Sequence, residues 1–410
     1  RVSEEDFWKN SSLSNVFDNL KLRVSYGVLG NQNIGVYPYQ QTYNLGHDYP
    51  FGNPAALQSG AYMSVYNNPE ITWDKTAITD IGLDFSLFNG AFSGTVDYFY
   101  KYTSDILAPV EVSSIMGRSV GQSNVGAVSN KGIEVNLTYN GRIGNSFRFS
   151  IAPNFTWVKN AVEKLANGAT EEINNNRIVG QPIGIIYGYE TDGLFVDQAE
   201  IDAAPEQLVG KSSLKPGYVK YKDISGPDGV PDGKVDAQYD RTVLGSTTPK
   251  FYYGLNLSAS YKGFDLSLLF AYSWGGMVYD ALYSQIMHDG NQAGAQMHKD
   301  ELSAWTPTNT ITNVPKYVNN NTNSSDGVST RYLYDATNIK LKNITLSYTL
   351  PSNLGTVSNV LRGARVFVSA DNLFTWFKDD WKGYSDIDIF GVGGYNALTA
   401  IPVPRTFTMG

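Results

Sequence analysis

An acidic stretch in the middle of the chain has the residue pattern best suited to binding chemistry. Five carboxylates lie within eighteen residues: Asp223, Asp228, Asp232, Asp236 and Asp240. Oxygen donors at this density, with Gly229 and Gly233 between them, suit a hard cation. The spacing from Asp228 onward matches positions one, five, six, eight and nine of a Ca²⁺-binding loop. However, Val230 stands at position three and Tyr239 at position twelve, so the bidentate acid of such loops is absent.

Two interpretations of this acidic stretch stay open. One hypothesis is a structural Ca²⁺ ion held by the five aspartates, with Asp240 replacing the missing acid. The alternative is a turn rich in Asp, Gly and Pro whose carboxylates accept hydrogen bonds from nearby backbone N–H groups. Neither interpretation predicts catalysis, and no other cofactor is indicated.

Hydrolytic chemistry has little support in the sequence. The three histidines are His47, His288 and His298, and all three fall in predicted loops. His298 followed by Asp300 and Glu301 fits a base with an orienting carboxylate, but no metal-ligand spacing accompanies it. Phosphate-binding glycine motifs are also absent. We therefore expect a protein that is not an enzyme.

Aromatic side chains in the predicted loops are the candidate substrate contacts. Flat rings presented there stack on sugar faces or hold peptides, or they pack the loops against each other. The candidates are Tyr37, Tyr39, Tyr66, Trp305, Trp381, Tyr384 and Tyr395.

The elements that must position these residues are strands, and the clearest pair lies between Gly245 and Tyr272. Apolar and polar residues alternate along two arms of about ten residues each, joined by Lys262-Gly263. This is about the length that a tilted strand needs to cross a bilayer, and the alternation is typical of a membrane β-barrel. A hairpin of a soluble sandwich also alternates, so the recurrence of the pattern decides between them.

The pattern recurs along the whole chain and predicts about ten strands. Besides the two arms, they are expected at 19–30, 73–88, 91–103, 127–139, 146–157, 337–350, 364–376 and 405–410. Short turns such as Asn89-Gly90 alternate with long connections over 30–70, 158–246 and 275–336, and a short helix is expected at 296–305. Short periplasmic turns and long extracellular loops are typical of outer-membrane barrels, whereas soluble domains rarely contain such long irregular loops. The predicted fold class is all-β, a transmembrane antiparallel β-barrel.

Composition agrees and excludes other classes of protein. The net charge is −8 without a cluster of Lys and Arg, which argues against a nucleic-acid partner. Because the chain has no Cys, it has neither disulfides nor thiolate chemistry. The longest apolar runs are too short for a membrane-spanning helix. The first residues do not form a signal peptide, which an outer-membrane protein needs, so we expect that either the mature start or a larger upstream part lies outside this sequence.

Eight segments together resemble the C-terminal part of the barrel in SusC/RagA-family TonB-dependent outer-membrane transporters. They occupy residues 22–35, 68–90, 98–107, 123–137, 180–195, 228–254, 338–351 and 365–376, in the order of the family. The resemblance implies that residues 1–410 hold about the last ten strands of a 22-strand barrel. It places the plug and the TonB-contacting segment outside this chain.

The resemblance also implies a location, partners and an activity. The implied location is the outer membrane of a Gram-negative bacterium, with extracellular loops and a periplasmic C-terminus. The implied partners are a SusD-like surface lipoprotein, the TonB complex, outer-membrane lipid, and a glycan or, less often, a peptide. We therefore expect TonB-dependent import of a large nutrient. Two alternatives are a self-contained ten-strand barrel acting as rim protease or adhesin, and a siderophore-type receptor without a lipoprotein lid.

Overall fold

The computed structural model describes most of the 410-residue chain. The described residues are 2–31, 39–63, 65–66, 68–109, 115, 119–120, 122–210, 213–287, 298–318, 327–351, 363–378 and 403–410. Contacts divide the chain into two compact units, one formed by 1–137 and 156–182 and the other by 138–155 and 183–410. Each unit is described by itself below.

Ten strands form one large sheet in which the hydrogen-bonded order follows the chain. They are β1 (Phe17–Asn31), β2 (Asp74–Leu87), β3 (Phe92–Pro109), β4 (Gln122–Ile143), β5 (Phe147–Lys164), β6 (Phe251–Tyr261), β7 (Phe264–Trp274), β8 (Asn338–Thr349), β9 (Arg365–Phe377) and β10 (Thr406–Met409). Every ladder with a defined register in this sheet is antiparallel. All ten predicted strands are confirmed.

The tight turns of the sheet form where the sequence places residues that tolerate positive φ. Asn89 and Gly90 between β2 and β3 have φ of 55° and 80°, and Lys262 and Gly263 between β6 and β7 have φ of 47° and 88°. Two successive left-handed residues match the right-handed twist of the flanking strands. These two hairpins are therefore specified locally.

The alternation in the sequence becomes two distinct faces of the sheet. In the β6–β7 hairpin Leu257 pairs with Leu268 on the apolar face, and Ser258 pairs with Ser267 on the polar face. Rings gather on the apolar face, where the centroids of Phe155 and Tyr253 are 5.0 Å apart. Large apolar side chains of this face are exposed along the sheet, as expected for a surface that contacts lipid.

One strand changes the parity of its apolar positions halfway along its length. In β8, Ile339 and Leu341 lie on the apolar face, as do Ile344 and Leu346 further along. In the pairing with β7, Leu341 and Asn343 lie opposite the adjacent residues Phe270 and Leu269, so Lys342 is an extra residue and forms a β-bulge. Because of this bulge, Ile339 and Leu341 lie on the same face as Ile344 and Leu346, although the two-residue alternation is interrupted between them.

Several strands extend beyond their predicted ends. β3 and β5 have 18 residues each and β4 has 22, whereas the alternating pattern covers about a dozen. Alternation of apolar and polar residues marks only the part of a strand that has one face in an apolar environment. Hydrogen bonding between the strands continues into water, where no such alternation is needed.

Helices are short and few among the described residues. The α-helices are α1 (Asp6–Lys9), α2 (Gln198–Ala203) and α3 (Ala281–Ile286), and the 3₁₀ turns are Val2–Glu4, Ser12–Asn15, Ala166–Gly168, Ile173–Asn175, Lys299–Ser303 and Thr330–Tyr332. The helix expected at 296–305 is a 3₁₀ turn over Lys299–Ser303, because His298 caps its start and a turn follows at Thr306. No helix in the described ranges is long and apolar enough to cross a membrane.

The long connections contain further small strands. These are Asn44–Leu45, Tyr49–Phe51, Ala56–Gln58, Ala61–Tyr62, Val65–Tyr66, Ser119–Val120, Glu171–Glu172, Arg177–Ile178, Ile185–Tyr189, Thr191–Leu194, Glu206–Gln207, Val219–Tyr221, Lys234–Val235, Arg241–Ser246, Met277–Tyr279 and Leu333–Asp335.

The connections from β5 to β6 and from β7 to β8 pack into what we name the loop body, the described residues of 183–246 and 277–335. It has two clusters of buried apolar side chains. The first cluster is Tyr189, Leu194, Val219, Tyr221, Val235 and Trp305. The second cluster is Ile186, Tyr279, Tyr283, Met287 and Tyr332. The sequence predicted irregular loops here, so a second core is a finding of the structure.

Candidate functional site

The acidic turn of the loop body is held together by its own carboxylates. Asp240 is 1% exposed. Its Oδ1 accepts hydrogen bonds from the backbone N–H groups of Ile224 and Ser225 at 2.8 and 3.2 Å, and its Oδ2 accepts one from Asp236 at 2.7 Å. Asp236 Oδ1 accepts in turn from two backbone N–H groups that follow it. These contacts match the interpretation as a hydrogen-bonded turn.

The remaining predicted calcium ligands do not converge. Asp223 Oδ2 accepts from the N–H of Gly233 at 2.8 Å, Asp232 Oδ1 accepts from Lys234 at 3.0 Å, and Asp228 is exposed. Within the described part of the chain, no group of three or more His, Cys, Asp or Glu side chains is arranged to hold a metal ion. Bound calcium therefore stays a prediction, without support from these contacts.

The structure describes three of the seven aromatic substrate candidates. Trp305 is 6% exposed and belongs to the first buried cluster, with the Lys316 ammonium 5.5 Å from its ring centroid. Tyr39 is exposed, and Tyr66 lies in a short strand that pairs with Ser119–Val120. The other four candidates, Tyr37, Trp381, Tyr384 and Tyr395, lie outside the described residues. The roles of Tyr39 and Tyr66 stay predictions, and Trp305 has the contacts of a packing residue.

His298 caps the 3₁₀ turn Lys299–Ser303, and its Nδ1 also lies 3.4 Å from Asp300 Oδ2. Its Nδ1 accepts a hydrogen bond from the backbone N–H of Asp300 at 3.2 Å. Asp300 Oδ2 accepts from the hydroxyl of Tyr283 at 2.7 Å. The His–Asp arrangement of a hydrolase needs Nδ1 to donate to the carboxylate, so this geometry gives no support to the rim-protease alternative. His288 is outside the described residues.

A charged cleft of about 470 Å³ lies beside the acidic turn, between α2 and the strand Val219–Tyr221. Lys220 Nζ lies 2.8 Å from Glu200 Oε1 and 2.9 Å from Asp192 Oδ2. Glu200 Oε2 also accepts from the backbone N–H of Val196 at 2.7 Å, and Asp197 caps the start of α2. The Lys220 ammonium and the Val196 N–H hold the pKa of the Glu200 carboxyl below its usual range.

This ion pair predicts a pH dependence of the loop body. A carboxyl whose pKa is lower in the folded state than in the unfolded state stabilises the fold at pH values above the unfolded pKa. That stabilisation is lost as the pH falls below the unfolded pKa and through the lower, folded pKa. We expect the local opening free energy of α2, measured by hydrogen exchange, to fall below about pH 4. In the Lys220→Met variant the acid-dependent part of this decrease should be much smaller. An equal decrease in both proteins would assign it to other carboxyls.

Charged residues on the polar face of β1 to β3 form a network around one arginine. The Arg23 guanidinium lies 2.8 Å from an Asp84 oxygen, 2.6 Å from an Asp97 oxygen and 3.8 Å from an Asp80 oxygen. Lys21 reaches Asp84 at 3.8 Å. The sequence predicts all five of these residues on the same face, and the contacts place them there.

A pocket of about 630 Å³ opens on the polar face of β6, β7 and β8, within the second unit. Its wall contains an exposed tyrosine and an exposed leucine, Tyr252 and Leu269, beside both apolar and polar residues. Asn154 lies across the bottom, because a Cβ at Gly254 would stand only 2.5 Å from Asn154 Nδ2. Thr247, Thr248, Asn338, Lys340 and Lys342 complete the polar wall.

Sequence reasoning did not single out this pocket. Tyr252 and Leu269 fall on the polar face by the two-residue alternation. A large side chain with apolar surface at a polar position is the signal that could have indicated this pocket. Asn154 lies about a hundred residues earlier in the chain, and only the pairing of strands brings it to Gly254. A concave site with apolar walls and a few polar groups is the usual form of a small-molecule site.

The chain is similar to known TonB-dependent receptors and to a solved peptide transporter. No family model matches it. TonB-dependent receptor P3 of Formosa agariphila is 30% identical over 433 aligned residues, covering all of this chain and 40% of that protein. TonB-dependent receptor SusC of Bacteroides thetaiotaomicron is 25% identical, covering all of this chain and 38% of its own length. The solved RagAB peptide transporter shares 27% identity with a TM-score of 0.71 over 91% of this chain and 38% of that one.

These matches test the predicted fold class and the resemblance. The chain spans about two fifths of the length of these relatives. The structural neighbours at this identity are outer-membrane transporters, which confirms the all-β antiparallel membrane fold. Over its whole length in sequence, and over 91% of its length in structure, the chain is similar to TonB-dependent outer-membrane receptors of the SusC/RagA type.

Proposed function

We propose that this chain is the C-terminal barrel portion of an importer that takes up a large nutrient in a TonB-dependent manner. The observation that carries the proposal is the two-faced ten-strand sheet together with its match to SusC and RagAB. The apolar face contacts lipid, and the polar face lines the path that the nutrient takes. The plug and the TonB-contacting segment belong to the part of the protein outside residues 1–410.

The loop body has the build of a docking platform. The long connections of a barrel need no core of their own, yet the loop body buries eleven side chains in two clusters. Burial of that kind stabilises a defined outer surface, which a partner protein needs for recognition. We assign this surface to the extracellular side, facing a SusD-like surface lipoprotein that acts as a lid. The C-terminus is then periplasmic.

We propose an oligosaccharide as the first substrate class. Exposed tyrosines such as Tyr39, Tyr43 and Tyr49 occur in the loop between β1 and β2, and flat rings of this kind stack on sugars. A peptide is the second candidate, because the RagAB proteins with the similar fold are described as a peptide transporter. Import is energised rather than enzymatic, in keeping with relatives that are named as receptors and transporters.

The two other hypotheses from the sequence have less support. His298 Nδ1 accepts a backbone N–H, and in that arrangement it does not donate to Asp300 as the base of a rim protease would. A siderophore-type receptor without a lid differs from the proposed importer in its partner, so partner recovery separates the two.

Purification from native outer membranes in mild detergent tests this function, with mass spectrometry of all partners. We expect peptides from an upstream region of the same polypeptide, together with a surface lipoprotein. Recovery of an isolated 45.1 kDa barrel would contradict the importer. Recovery of the longer receptor with no lipoprotein would favour the siderophore-type alternative.

A further inference from the structure

We propose that the pocket on the polar face of β6, β7 and β8 is a saccharide subsite in which Tyr252 supplies a stacking face and Asn154 hydrogen-bonds ring hydroxyls. The proposal rests on the proposed function, because it places a sugar-binding position on the path of the imported nutrient. It names a location apart from the loops, where the sequence placed all of its substrate candidates.

The first support is an aromatic ring available to a ligand. Tyr252 is 41% exposed, although it stands on the polar face opposite Ser273. Three neighbouring rings of this hairpin, Phe251, Tyr253 and Tyr272, lie on the apolar face, where Tyr253 contacts the other two. Tyr252 is therefore separated from the aromatic cluster of the hairpin, and its ring faces the pocket together with Leu269.

The second support is a pair of polar groups that the described part of this chain leaves without a hydrogen-bond partner. Neither the Tyr252 hydroxyl nor the Asn154 amide has a hydrogen-bond partner among the described residues. The Asn154 amide lies directly against the β6 backbone, because Gly254 has no side chain to displace it. A side-chain amide offers a donor and an acceptor side by side, which suits two neighbouring hydroxyls of a sugar ring.

The third support excludes one mode of peptide binding, the addition of an extended strand to the sheet. β6, β7 and β8 are each hydrogen-bonded to a strand on both sides. Their backbone groups are therefore occupied, and an extended peptide could not add to a strand edge here. Sugar rings are recognised by aromatic faces and side-chain amides or hydroxyls, and the pocket offers these. Its volume of about 630 Å³ falls within the range of small-molecule sites, roughly 300–1,000 Å³.

Ligand binding to the whole receptor, purified with its lipoprotein in detergent, tests the assignment. The probes are neutral hexasaccharides of several linkages and pentapeptides, with Kd measured by calorimetry. We expect Tyr252→Ala to raise the saccharide Kd about 3- to 10-fold, and Asn154→Ala about 3-fold, the size of one or two hydrogen bonds or ring contacts. Tyr252→Phe should bind more tightly than Tyr252→Ala because it retains the ring.

A matched control separates the pocket from general effects on the sheet. Asn256→Ala changes an exposed asparagine of the same face that does not line the pocket, and it should leave the Kd unchanged. Equal saccharide Kd values for the wild type, Tyr252→Ala and Asn154→Ala would overturn the subsite while leaving the proposed function intact. Weaker peptide binding with unchanged saccharide binding in Tyr252→Ala would overturn the ligand class. A wild type that binds no saccharide would overturn the proposed oligosaccharide substrate, and this subsite with it.

Discussion

Trp305→Ala is expected to destabilise the loop body by about 3–5 kcal/mol, the usual range for removing a buried tryptophan. The indole fills the first cluster beside Tyr189, Val219 and Tyr221. Its backbone N–H also donates to the carbonyl of Val314 at 2.9 Å, so the ring is fixed at a junction of two segments. Hydrogen exchange of the Val219–Tyr221 strand measures the effect, because opening of the loop body exposes those amides.

The neighbouring Leu302 provides a control for this experiment. Leu302 lies three residues away in the preceding 3₁₀ turn and is 93% exposed, so Leu302→Ala should change stability by less than about 0.5 kcal/mol. If Trp305→Ala instead left hydrogen exchange unchanged and abolished substrate binding, the indole would be a ligand contact after all. The interpretation of Trp305 as a packing residue would then be wrong.

Asp240→Ala is expected to open the acidic turn, with a local loss of about 3 kcal/mol or more. The substitution leaves three half-buried backbone N–H groups without their acceptor, and each such group costs about 1 kcal/mol, the lower end of the range of about 1–3 kcal/mol for buried groups. Asp240→Asn retains an acceptor oxygen and should show an intermediate effect. Limited proteolysis near Pro231 and exchange of the Ile224 and Asp236 amides measure the opening.

The same experiment tests the calcium hypothesis. Asp228→Ala removes an exposed carboxylate and should leave the turn resistant to protease, if hydrogen bonds alone hold it. Under that interpretation a chelator also has no effect on cleavage of the wild type. Faster cleavage after addition of chelator, together with an effect of Asp228→Ala, would instead show that a bound cation stabilises the turn.

Most of the sheet was predictable because its signals are local. Strands appear as two-residue alternation, and the hairpin turns appear at Asn89-Gly90 and Lys262-Gly263, where the sequence supplies residues that accept positive φ. Each signal involves residues a few positions apart, so the sequence contains it without knowledge of the fold. The extra residue at Lys342 interrupts the alternation, and only its pairing with β7 and β9 reveals a bulge.

The candidate site was predicted less well, since its groups come from distant parts of the chain. The five aspartates were found, but burial of Asp240 and its three donors follow from the folding of the turn around it. Loop aromatics look alike in a sequence, whether they pack as Trp305 does or lie exposed as Tyr39 does.

Alternation and turn chemistry are properties of neighbouring residues, so the sequence was enough to predict a two-faced membrane sheet similar to that of SusC/RagA-type receptors. The tertiary structure decided which polar and aromatic groups are occupied and which are available. It packed the long connections around Trp305, and it brought Asn154 to Gly254 beside Tyr252. The physical reason is that burial and hydrogen-bond satisfaction depend on contacts between segments far apart in the chain, which no local pattern encodes.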